Sequence, residues 1–173
     1  ALADIFQWYD GDGDGSLWLS NASVAPYSDF SMQTLWWADL PFANLHHGDF
    51  IFTNFSYADL SGANLSSVDM SYTDLQHANL ENADLTFTLF VGTDLVSSNM
   101  SGANIFYADF SDANLSNIEN WGSAFWLAAR YNENTIFPDG MDPNDFGMIE
   151  IVIPAPEMLC FVGFSILLPR RRR

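Results

Sequence analysis

From residue 28 to residue 117 the chain repeats itself every five residues, and neither a helix nor a flat strand accommodates that period. A large apolar residue, position i, falls on Phe30, Leu35, Leu40, Leu45 and Phe50, and then on every fifth residue to Leu115. Position i−1 is Asp or Asn throughout, except at Thr34 and Leu89, and position i−2 is small except at Gln33. On a helix each residue advances by about 100°, so fives scatter round the cylinder. The backbone must therefore turn a corner every five residues.

A second period says how many corners close one coil. Phe30, Phe50, Met70, Phe90 and Phe110 form one class at 20-residue spacing, and Leu45, Leu65, Leu85 and Ile105 another. Thr53, Thr73 and Thr93 sort together at i−2, as do Ala43, Ala63, Ala83 and Ala103. Four fives thus make one coil, and coils stack like on like. Each five carries one large residue at i and one small residue at i−2, a combination that packs a narrow space without voids. Asp and Asn suit corners because their side chains bond nearby backbone. At a coil spacing of about 4.8 Å the regular part is roughly 22 Å long.

The pattern resembles the pentapeptide-repeat family, with consensus Ala-Asp/Asn-Leu-x-x. The resemblance implies an all-β fold, a right-handed quadrilateral parallel β-helix of about 4.5 coils with irregular caps. It also implies that i and i−2 point inward while i−1, i+1 and i+2 face out or form corners. Open ends of a repeat array need covering. Residues 1–27, with Phe6, Trp8, Tyr9 and Trp18, are read as an N-terminal cap or side cover, and 28–117 as the β-helix. The register fails at Asn120, so 118–148 is read as a capping coil and loop, and 149–173 as a separate tail.

Formal charge is −17, from 22 acidic side chains against five arginines and no lysine. Such a surface repels nucleic acid and anionic lipid and attracts cations or a basic partner. One cysteine, Cys160, allows no intrachain disulfide. Asp10, Asp12 and Asp14 in "DGDGDG" resemble the start of an EF-hand calcium loop, although Asn21 stands where a bidentate Glu is expected. The stretch fits two readings, a calcium site or an acidic turn. His46 and His47 lie on one side of the coil and His77 on another, which favours surface histidines over a metal site. Sequons at Asn54, Asn64, Asn99 and Asn114 fall out of the repeat itself. Outward positions collect Trp36, Trp37, Phe42, Phe52, Tyr57 and Tyr72, with Trp37 over Tyr57 and Phe52 over Tyr72 in the stacking order. These six form a candidate interaction patch for a surface protein or a polysaccharide, or a seat for the aromatic N-terminal segment. No nucleophile–base pair or phosphate-cradling loop occurs, so no catalytic residue and no organic cofactor is expected.

The tail reads Pro154-Ala155-Pro156-Glu157, then eleven uncharged residues from Met158 to Leu168, then Arg170, Arg171, Arg172 and Arg173. A helix of eleven residues spans about 16 Å, short of a roughly 30 Å bilayer core. The order resembles the PEP-CTERM sorting signal of bacterial exported proteins, in which Pro-Glu-Pro, an apolar segment and a basic end are recognised by the membrane protease exosortase. Here Ala155 interrupts the motif. With the Ala1-Leu2-Ala3 start, which matches the residue pattern around a signal-peptidase site, the resemblance implies an exported protein with transient membrane association. Two functions follow as expectations: a non-enzymatic scaffold at the bacterial cell surface or in the extracellular matrix, or an acidic DNA mimic that binds a topoisomerase such as DNA gyrase.

Overall fold

The computed structural model describes residues 26–152. Four ladders of parallel bridges run along it, and each links residues at position i−1. The first joins Asp29, Asp49, Asp69, Leu89, Asp109 and Arg130, and the second runs from Thr34 through Asn54 to Ile136. The third runs from Asp39 to Glu119 and the fourth from Asn44 to Phe125. These are sides one to four of a solenoid. The corners are made by i+1 and i+2, so the Asp and Asn residues stand on the flat of each side, two residues ahead of the corner.

Their value there follows from an account of the backbone donors. The N–H of i donates to the next coil, as Phe50 does to Asp69 O at 2.8 Å, and that of i+2 does likewise, Phe52 to Ser71 O at 3.1 Å. The N–H of i+3 closes the turn, Thr53 to Phe50 O at 3.0 Å, and that of i+4 reaches the preceding coil, Asn54 to Gln33 O at 2.9 Å. Only the i+1 N–H is left. It is taken by the side chain at i−1, as Ile51 N donates to Asp49 Oδ1 at 3.1 Å and Ser71 N to Asp69 Oδ1 at 2.9 Å. At most corners an Asp or Asn at i−1 therefore satisfies the last backbone N–H, although Asn104 Oδ1 takes no such bond among the described residues.

The corners carry a conformational cost. Their second residue is left-handed at every turn from Tyr27 to Asn117, with φ between 56° and 66°, although most of these residues have side chains. An isolated residue loses about 1–2 kcal/mol in that region. Over most of these corners two coil-to-coil bonds and one turn bond hold the backbone in place.

Inside, the expected columns form. Phe30 stacks on Phe50 at 5.3 Å and Phe90 on Phe110 at 4.9 Å, with the aliphatic Leu and Ile columns buried beside them. Thr53, Thr73, Thr88 and Thr93 are buried, and each hydroxyl donates to a carbonyl 23 residues earlier at 2.7–2.9 Å. The regular register ends at the Asn99–Glu119 pair. Asn120 occupies the next inward position but is exposed, with φ 57°, and a short 3-10 turn η1 (Trp121–Ser123) follows. Pairing then resumes one residue out of step, Asn104 with Phe125, and two out of step at Asn114 with Ile136. Trp126 fills the shaft at this level, buried, with Nε1 donating to Trp121 O at 2.8 Å. Strands β1 (Arg130–Tyr131) and β2 (Ile149–Glu150) extend side one, and η2 (Pro143–Phe146) packs Phe146 edge-on against Trp121. Among the described residues no helix is long and apolar enough to cross a membrane.

Candidate functional site

The corner positions generate rows of side chains one coil apart. Trp37, Tyr57 and His77 stack in sequence at 4.8 and 4.7 Å, and Phe52 lies on Tyr72 at 5.1 Å. Tyr27 stacks on His47, and Phe87 on Tyr107 at 5.1 Å with planes 3° apart. All six aromatic residues singled out from the sequence are exposed, from 46% at Tyr57 to 79% at Phe42. They do not form one patch. Trp36, Trp37 and Tyr57 line the corner after side two, Phe52 and Tyr72 the corner before it, and Phe42 the corner after side three. Within the Trp37 and Phe52 ladders the rings face one another, so their edges meet solvent.

Two of these exposed rings rest on glycines. A Cβ on Gly62 would sit 2.5 Å from the Phe42 ring, and one on Gly92 would sit 2.7 Å from the Tyr72 ring. These glycines supply room for a ring more than backbone freedom, since other corners adopt the same φ with a side chain.

The two exceptions to the Asp/Asn rule now acquire a consequence. Leu89 has no acceptor for the Val91 N–H, and that N–H has no partner among the described residues. The Trp36 N–H beside Thr34 is in the same state. Leu89 is 41% exposed, in a row with Phe87 at the corner before it and Tyr72, which lies over Gly92, at the corner after it. Phe87, Tyr107, Phe125 and Leu127 are exposed too. The sequence reading passed over this second apolar region, although the Phe87–Tyr107 spacing of 20 and the anomaly at Leu89 both announce it.

The acidic side chains are partly committed. Hydrogen bonds from the Ser31 hydroxyl and N–H hold the Asp29 carboxyl below its usual range. Asp39 moves the other way, pushed up by burial and then by the Asp59 charge one coil above. Its equivalents receive an N–H at i+1, but here that residue is Pro41, which has none. Among the described residues no three metal-ligating side chains come together. His46 bonds Asn44 Oδ1 through Nδ1 at 2.8 Å, and His77 belongs to the Trp37 ladder. Asp10, Asp12 and Asp14, and the tail residues Pro154, Pro156, Glu157 and Arg170 to Arg173, lie outside the described residues. A cleft of about 40 Å³ lined by Glu133, Glu150, Ile151 and Val152 has room for little more than a water.

A filled, four-cornered shaft with an Asp or Asn ahead of nearly every turn defines a repeat solenoid of the five-residue type. The family model described as pentapeptide repeats, eight copies, matches residues 43–82 and 78–117. The chain belongs to the pentapeptide-repeat proteins, whose fold is the right-handed β-helix. Among solved structures it is similar to alr5209, a pentapeptide repeat protein from Nostoc PCC 7120, at 31% identity over 57% of this chain and 84% of that one, with a TM-score of 0.42. It is also similar to AT2G44920, a pentapeptide repeat protein of the Arabidopsis thaliana thylakoid lumen, at 23% identity over 54% of this chain and 72% of that one, with a TM-score of 0.36. QnrB1, a plasmid-mediated fluoroquinolone resistance protein, aligns at 17% identity over 83% of this chain and 72% of that one, with a TM-score of 0.40. Among curated proteins no sequence matches the chain.

Proposed function

We propose that this chain is a non-enzymatic scaffold, exported by a bacterium, that presents a rigid solenoid surface to a partner at the cell surface or in the surrounding matrix. The observation that carries the binding part is the set of exposed aromatic corner ladders on a shaft whose interior is filled. A side chain on a stacked corner is held by its neighbours above and below, so little ordering remains to be done on binding. Export rests on the order of Pro154, Pro156, Glu157, the apolar run and the terminal arginines. In this reading an exosortase-type protease acts on the tail, and membrane association is transient.

The DNA-mimic alternative draws on the column of Asp29, Asp49 and Asp69, which repeats charge at each coil. Against it, each of these carboxylates spends Oδ1 on a corner N–H, and several exposed corner positions carry aromatic rings in place of charge. One experiment separates the two: fractionation of producing cells followed by mass spectrometry of both protein termini. Recovery outside the cell, with the chain ending near Pro156, supports the scaffold. Recovery in the cytosol with Arg173 intact overturns it, and inhibition of gyrase supercoiling by the purified protein is then the expected activity.

A further inference from the structure

The exposed leucine in the acidic column of side one is out of place by the rules of its own fold. Every i−1 residue of that side from Asp29 to Asp109 is Asp except Leu89. Asp69 below it and Asp109 above it each accept the corner N–H through Oδ1, from Ser71 at 2.9 Å and Ser111 at 3.0 Å. Leu89 leaves the matching Val91 N–H without that bond while placing an apolar side chain in solvent. Local stability is given up at a surface position, and the neighbours across side one are Phe87 and Tyr72, with Tyr107 stacked on Phe87.

We propose that side one at the level of Leu89 is a protein-docking surface, with an apolar centre on Leu89, Phe87 and Tyr72 and an anionic rim supplied by Asp69 and Asp109. This deepens the scaffold reading and rests on it. The rim decides the occupant. Asp69 and Asp109 lie one coil to either side, so their separation is about 10 Å. Oδ2 of each has no protein partner among the described residues. The complementary surface carries an apolar side chain between two Lys or Arg groups about that far apart. A second copy of this chain does not fit. Arg130 is the one Lys or Arg among the described residues, and two chains of charge −17 repel. Anionic lipid and nucleic acid are disfavoured by the same charge.

The test has two parts. In the purified protein, Leu89→Asn restores an acceptor for Val91 at the cost of half-buried apolar contact. The unfolding midpoint is then expected between unchanged and about 4 °C higher. A clear fall in the midpoint means Leu89 serves the fold, and overturns the inference. In producing cells, a benzoyl-phenylalanine photocrosslinker replaces Phe87. The expected adduct joins a different protein through a peptide with an apolar residue flanked by Lys or Arg, and it disappears when Leu89→Asn is added. No adduct, an adduct to another copy or to residues 153–173 of this chain, or one that survives Leu89→Asn overturns the docking surface. Because the crosslink is read wherever the protein fractionates, failure of export and failure of this surface give different results.

Discussion

Replacing Gly92 by Ala tests whether the corner ladders are bonded structure or incidental alignment. Two costs are expected. At φ 66° the new side chain meets the left-handed penalty, about 1 kcal/mol. Its Cβ also falls 2.7 Å from both Cδ1 and Cε1 of Tyr72, closer than carbon atoms approach. Tyr72 is about half exposed and has space to swing outward, so the backbone stays in place and the ring gives way. The ring then leaves Phe52, on which it now lies at 5.1 Å and 14°, and such a pair contributes about 0.5–1.5 kcal/mol. The total loss is about 1.5–2.5 kcal/mol, measured by urea unfolding. A double-mutant cycle assigns it. In a Tyr72→Ala background only the backbone part remains, so Gly92→Ala should cost about 1 kcal/mol there. Equal cost in both backgrounds, within about 0.3 kcal/mol, refutes the reasoning. It would show that the glycine serves φ alone and that the ladder contributes nothing.

Three further outcomes are expected from the same unfolding assay. Phe90→Ala opens a cavity between Met70 and the stacked Phe110 ring and should cost about 3–5 kcal/mol, with Phe90→Leu much milder. Ser98 is fully buried and its Oγ has no partner among the described residues, so Ser98→Ala should be neutral or stabilising by up to about 1 kcal/mol, and a clear loss would reveal an unseen bond. Asp39→Asn removes a charge disfavoured by burial and by Asp59 and should stabilise by a few tenths of a kcal/mol at neutral pH, after screening. The sign with pH follows from the raised folded-state value. The wild-type contribution is greatest below the ordinary carboxylate range and is lost as pH rises through the folded pKa, so the gap between variant and wild type should close in acid. A gap that widens in acid would contradict the assignment.

Much of the architecture was legible because the five-residue rule is local and repeated. Each inward Phe, Leu or Met meets the same neighbours 20 residues away, so the pairings Trp37–Tyr57 and Phe52–Tyr72 could be read from spacing and appear as stacks. The candidate site was less legible. The six aromatic residues named from the sequence are exposed but divide among three corners, because the side to which a residue belongs depends on its place in the coil of 20 as well as on its place in the five. Leu89 was visible only as a broken rule. Its meaning required knowing that the Asp it replaces holds a specific N–H.

The sequence by itself determined the period, the coil of four fives, which positions carry large, small and polar residues, and the acidity of the chain. These depend on side-chain size and charge recurring in register, which a one-dimensional string records in full. Only the tertiary structure decided that Asp and Asn act from the flat of the side on the corner N–H, and that Pro41 deprives Asp39 of that bond. It also decided that Gly92 makes room for Tyr72, and that pairing continues past Asn120 in shifted register to a Trp126 plug. Each of these is a contact between coils or across a corner. Such contacts exist only once the backbone has closed its turn and brought residues about 20 apart in sequence to roughly 5 Å in space.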